Sequence, residues 1–278
     1  MNTIHLHQNR MNPLVLPLIL AQELDLFTAH GVTVDLRLSD TFIFNGKEEF
    51  LNNKVTGMMG DTTFFFYYLE EGKKAKITST LTRTIQLVGK KTWASLDTLT
   101  VGINRTGLFR FFQDTYLTSL LPPTDYAWIN NTYERMTALK QDDIQALVAI
   151  EPFVSHILGE QEDTEVIWHS NTLDACYVMW CFDAEFVEAY PESIKGFHLA
   201  LSEAEHYFNT QPSEEKIQLL KTHCQLTDKQ ALTFADFQFE PSRNYSPQDY
   251  TLCQNWMLDN NEITQKTPLS KGLFQPYP

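Results

Sequence analysis

The segment TIHLH alternates between residue types, and the apolar pattern that follows changes period. In LVLPLILAQELDLF, Leu16, Ile19, Leu20, Leu24 and Phe27 recur at three- and four-residue steps. The change predicts a strand, a polar loop QNRMNP, and a helix that Gly31 stops. VTVDLRLS then alternates strictly at Val32, Val34, Leu36 and Leu38, the signature of a strand. NGKEEFLNN predicts a short helix, VTGMMG a short buried strand, and TTFFFYYLEEG a helix closed by Gly72; AKITSTL and TIQLVGKK read as two more strands.

A second block begins near residue 97 with the strand LTVGI, the loop NRTG and the helix LFRFFQDTYLTSLL, which Pro122 and Pro123 end. DYAWINN reads as extended, YERMTALKQDD as helix, IQALVAI as a short strand and EPFVSHILGE as a further helix, before the strands EVIWHS and ACYVMWC. Both blocks follow one plan, and each short strand runs into a carboxylate, Asp61 in one and Glu151 in the other. Strands separated by helices imply an α/β protein with mainly parallel sheets. Ligands of such sheets bind beyond the carboxyl ends of the strands. Asp61, Thr62 and Thr63 occupy such an end, where these residue types cap a helix or meet a ligand.

The net charge of −14 excludes a nucleic-acid partner, because no basic stripe is present to displace counterions, and it disfavours an anionic membrane surface. No segment is long enough to span a bilayer. Cys176, Cys181, Cys224 and Cys253 show no CxxC spacing, and the eight histidines form no HExxH motif, so no metal site is assigned. GxSxG, P-loop and GxGxxG motifs are absent as well, and no catalytic residue or cofactor is assigned. RMNPLVLPLILAQ has the outline of a leader, but Pro13 and Pro17 interrupt it and no small-residue cleavage site follows, so it reads as folded structure. As written, the chain is expected in the cytoplasm, or outside it if a leader was trimmed.

PLILAQELDLFTAHGVTVDL, FLNNKVTGMMGDTTFFFYYLEEGKKAKITSTL, ALKQDDIQALVAIEPFVSHIL and FDAEFVEAYPESIKGFHLALSEAEHYFNTQP together resemble the solute-binding proteins of ABC importers. The resemblance is to the group of nitrate, taurine, alkanesulfonate and thiamine-pyrimidine-precursor binders, and it extends over nearly the whole chain in the same order. It implies a type II periplasmic-binding-protein fold, two α/β lobes around a ligand cleft with two hinge crossovers. Lobe one would comprise residues 1–86 and 178–278, and lobe two residues 87–177. The chain would then be a monomer that closes on a small molecule and presents it to a permease and ATPase. The loops after the strands would supply Asn9, Asn12, Asp61, Thr62, Thr63, Arg83, Asn104, Thr106 and Glu151 as ligand-binding residues.

Arg83 and Arg105 have the guanidinium geometry of an anion clamp. Asp61 and Glu151 favour an amine or a neutral nitrogen heterocycle over a sulfonate. The alternative is a cytoplasmic enzyme or ligand sensor on the same fold, for instance in cofactor biosynthesis. Against the thiamine-pyrimidine-forming class, the positions of its Lys and His hold Gly60 and Phe64 here, and its cysteine-rich motif is missing.

Overall fold

The computed structural model describes residues 3–40 and 46–277. The chain forms two compact units, Met1–Arg83 with Ala175–Pro278, and Thr84–Asp174. The first stretch of unit one runs β1 (Thr3–Asn9), α1 (Leu16–Glu23), α2 (Leu26–Ala29), β2 (Thr33–Ser39), α3 (Gly46–Leu51), β3 (Gly57–Asp61), α4 (Thr62–Glu70) and β4 (Ala75–Thr80). The predicted helix after β1 is broken in two. Asp25 takes a left-handed backbone conformation (φ 55°), which Asp tolerates better than most residues, and α2 restarts from it. The Asn that opens the predicted helix NGKEEFLNN lies outside the described residues.

Unit two runs β5 (Gln86–Lys90), β6 (Leu99–Ile103), α5 (Gly107–Phe112), β7 (Thr124–Trp128), α6 (Thr132–Lys140), β8 (Ala146–Ala149), α7 (Phe153–Glu160) and β9 (Thr164–His169). Unit one resumes with β10 (Val178–Asp183), α8 (Ala184–Ala189), α9 (Pro191–Thr210), α10 (Ser213–Cys224), α11 (Asp228–Phe234), α12 (Pro247–Asp259) and α13 (Leu269–Gly272).

In unit one, β1 and β2 pair in parallel with Ile4 opposite Val34 and Leu6 opposite Leu36. β10 lies between β3 and β4 and runs antiparallel to both. Unit two has the order β7-β6-β8-β5-β9, parallel through β7-β6-β8 and antiparallel on both sides of β5. The expectation of mainly parallel sheets therefore fails at β5 and β10. These are the first strands after each passage of the chain from one unit to the other, so no helical crossover within the unit obliges them to run parallel.

Helix α9 centres the core of unit one. Proline at its first position suits the fixed φ of a helix start. Ile194, Phe197, Leu201, Ala204 and Phe208 then repeat at helical spacing and are buried. The Phe197 ring stacks on Phe27 with centroids 5.6 Å apart and meets Trp180 and Phe182 edge-on at 5.2 and 5.3 Å. The helix approaches the end of α2 so closely that a Cβ on Gly196 would lie 2.6 Å from the His30 carbonyl oxygen. All four cysteines are buried free thiols.

On the next position of α9, His198 is wholly buried, with Thr78 Oγ1 2.8 Å from Nε2 and Ser79 Oγ 3.2 Å from Nδ1. Loss of solvent pushes its pKa down to about 3, so the folded protein holds it neutral. The unfolded chain takes up that proton below roughly pH 6.5. The stabilising contribution is therefore complete above about 6.5 and is lost as the pH falls toward 3. Equilibrium unfolding of His198→Gln is expected to show a flatter pH dependence than wild type between pH 6.5 and 4. Parallel curves would show that another group controls acid lability.

Candidate functional site

β3 and β4 are both antiparallel to β10, so their carboxyl ends share one edge of unit one. The loop after β1 reaches the same edge, because Leu14 and Pro17 line one small slot together with Leu81 and Thr82. Asp61 ends β3 and caps α4. Its Oδ1 receives the Phe64 N–H at 3.0 Å and the Thr63 hydroxyl at 2.6 Å, satisfying one of the free amides of the helix start. Crowding by protein raises its pKa to about 6 against these hydrogen bonds, with Glu262 adding to the rise. The residue as a whole is partly exposed, and a value of about 6 leaves the carboxylate largely ionised at neutral pH.

The other predicted residues of this unit carry more committed contacts. Thr62 is buried, donates to the Tyr177 carbonyl at 2.9 Å and lies 2.5 Å from the Tyr245 hydroxyl. Thr63 is buried and engaged with Asp61. Asn9 accepts the Met11 N–H at 2.9 Å, and Asn12 accepts the Leu14 N–H at 3.1 Å, so each carbonyl oxygen shapes the loop while neither amide nitrogen bonds to a described residue. Arg83 Nε donates to both oxygens of Glu240 at 2.8 and 2.9 Å, which neutralises much of its charge.

The aromatic run after Asp61 lies on helix α4. Phe65, Phe66 and Tyr68 are buried there, but Phe64, whose backbone N–H bonds to Asp61, is 44% exposed on the first turn. A solvent-facing ring on a turn that a carboxylate caps is a candidate surface for a flat, cationic molecule. Its signal was in the period: of the run, only some positions can share the inward arc of one helix.

In unit two, parallel β6, β7 and β8 bring Asn104, Thr106 and Glu151 to one edge. Arg135 is wholly buried and organises it. One terminal nitrogen donates to Asn104 Oδ1 and to the Ile129 carbonyl at 2.7 Å, and the other donates to Thr132 Oγ1 at 2.8 Å. All of these acceptors are neutral, and burial pushes the guanidinium down to about 10. Thr106 is exposed at the start of α5 and makes no capping bond. Glu151 is buried and accepts the Ser155 N–H at 3.1 Å; burial raises it to about 7.

Arg105 was named with Arg83 as an anion clamp, and the two differ in surroundings. Arg105 and Arg110 both face the Trp128 ring, at 5.4 and 4.8 Å from its centroid. Arg110 pairs with Asp114 at 2.9 Å, whereas Arg105 has no carboxylate partner among the described residues.

A wide hollow of about 880 Å³ lies elsewhere in unit one, beside the amino ends of β3 and β4. Its charges are largely matched within the chain, Lys73 with Asp183 at 2.9 Å and Lys47 with Glu71 at 2.7 Å, and it includes none of the predicted residues. Among the described residues no group of His, Cys, Asp and Glu could hold a metal ion, and no helix is long and apolar enough to cross a membrane.

No protein-family model and no curated protein matches the sequence. Solved structures do match. The periplasmic aliphatic sulphonate binding protein SsuA from Escherichia coli superposes with a TM-score of 0.77 at 12% identity, over 98% of this chain and 97% of that one. An ABC transporter protein from Parabacteroides distasonis gives 0.71 at 16% identity, over 99% of both chains. The periplasmic nitrate-binding protein NrtA from Synechocystis PCC 6803 gives 0.62 at 13% identity, over 84% of this chain and 70% of that one. The chain therefore has the periplasmic-binding-protein fold, mixed α/β throughout. At these identities the likeness is one of fold.

Proposed function

We propose that this protein is a solute-binding component of an ABC import system, and that the carboxyl edge of unit one recognises a small polar nitrogen compound. Full-length likeness to a periplasmic sulphonate binding protein and to an ABC transporter protein supports the first part. The second rests on one observation, the Asp61 carboxylate capping the turn of α4 that carries the exposed ring of Phe64. A protonated amine or amidine would pair with the carboxylate, and a flat ring would lie on Phe64. Closure of two lobes on the ligand and hand-over to a permease belong to this proposal. Loss of radius of gyration on ligand addition checks the closure.

The test is a thermal-shift screen of the purified protein against amines, pyrimidines, amino acids, sulfonates and nitrate. A ligand at a hundred times its Kd adds about 2.7 kcal/mol, which for a chain of this size raises the melting temperature by about 5–10 °C. The response should be confined to cationic or heterocyclic compounds and be lost in Asp61→Asn. Affinity for a protonated amine should also fall about tenfold per pH unit below pH 6, as Asp61 takes up its proton.

A second reading has its own observation. Arg105, unpaired by any described carboxylate and stacked on Trp128, suits an anion. Shifts with sulfonates that survive Asp61→Asn and vanish in Arg105→Ala would replace the first reading with the second. Turnover of a bound compound would favour an enzyme on this fold instead.

A further inference from the structure

Beneath the edge of unit one is a narrow slot with room for about 10 Å³, lined by Trp180 of β10, Glu205 of α9, Thr82, Leu18, Leu201 and Phe239 among others. Two polar groups on its wall are shielded from solvent and have no hydrogen-bond partner among the described residues, Trp180 Nε1 and Glu205 Oε2. Both side chains are nearly completely buried, at 1% and 4% exposure. Thr82 completes the polar part of the lining. Its Oγ1 accepts the Glu240 N–H at 3.0 Å, and its own proton is donated to no described residue.

We propose that this slot is a binding site for one water molecule, which joins Trp180, Glu205 and Thr82. Size and chemistry select the occupant. The free space is close to a single water-sized sphere, and a buried water makes about three hydrogen bonds to groups that otherwise lack partners. An indole N–H only donates, so the occupant must accept a hydrogen bond there. That excludes ammonium and metal cations, which offer no lone pair. Glu205 needs a donor when ionised and can supply one when protonated, and water meets either form. A halide would accept from the indole, but it is larger than the space.

Three parts of unit one are tied together in this way: β10, α9 and the segment leaving β4. Thr82 already receives the Glu240 N–H, and Glu240 holds Arg83. The water therefore fixes the last residues of the first stretch of unit one to its central helix. This inference is independent of the proposed transport function, because it concerns the free protein and none of the residues assigned to the ligand.

High-resolution crystallography of the wild-type protein is the direct test. It should show one density peak 2.7–3.2 Å from both Trp180 Nε1 and Glu205 Oε2. An empty slot, or a direct bond between these two atoms, overturns the site. A bromide soak giving an anomalous peak there overturns water in favour of an anion. In solution, ¹⁵N-tryptophan-labelled protein should show water-to-indole cross-relaxation with the sign of a long-lived contact at one resonance. Trp180→Phe identifies that resonance by removing it. A Trp180 indole without such a signal overturns the proposal even if no crystal is obtained.

Discussion

Phe197→Ala is expected to lower the melting temperature by about 6–20 °C. The side chain is wholly buried on α9 and touches the rings of Phe27, Trp180, Phe182 and His198, so its removal leaves a cavity bounded by three elements. Truncation of a buried Phe costs about 3–5 kcal/mol, the transfer term plus the void. A chain of this size loses roughly 2–4 °C per kcal/mol. Rings held from several sides relax poorly into a void, which places the expected value in the upper half of the range. Phe197→Leu should recover most of the loss. Calorimetry of the two variants checks this, and equal melting temperatures for Phe197→Ala and wild type would show that α9 does not centre the core.

The second large effect is expected in unit two. Arg135→Met removes a buried positive charge, which by itself relieves a desolvation penalty. It also leaves Asn104 Oδ1, the Ile129 and Asn130 carbonyls and Thr132 Oγ1 without this donor. A polar group that loses its partner inside a protein costs about 1–3 kcal/mol, toward the lower end for acceptors only partly buried, as these are, and four together outweigh the relief. A net loss of about 2–4 kcal/mol corresponds to roughly 30- to 1,000-fold faster amide exchange in the affected unit. Hydrogen exchange should accelerate most within residues 99–140 and least in α9. Arg135→Lys, with one nitrogen to serve separate acceptors, should fall between. Unchanged exchange in Arg135→Met would mean that the charge penalty and the hydrogen bonds cancel.

Arg135 also marks the limit of what residue types disclose. In the sequence it is one Arg in a polar helical pattern, YERMTALKQDD, and its burial depends on the loops after β6 and β7 folding over it. Phe64 and Arg105 are similar cases. Their exposure follows from where a helix starts and which neighbours pair off, not from their own chemistry.

What the sequence determined by itself was the order of elements, the α/β class and the placing of Asp61 at the junction of a strand and a helix. Period-two and period-3.6 patterns are local consequences of backbone geometry, and a cap residue acts on amides only a few positions away. The tertiary structure alone decided the antiparallel entry of β5 and β10, the pairing of Arg83 with Glu240, and the enclosure of Trp180 and Glu205 in one slot. Each of these joins residues that are distant along the chain. Such contacts depend on packing and on the competition of many partners for one position, which no local pattern records.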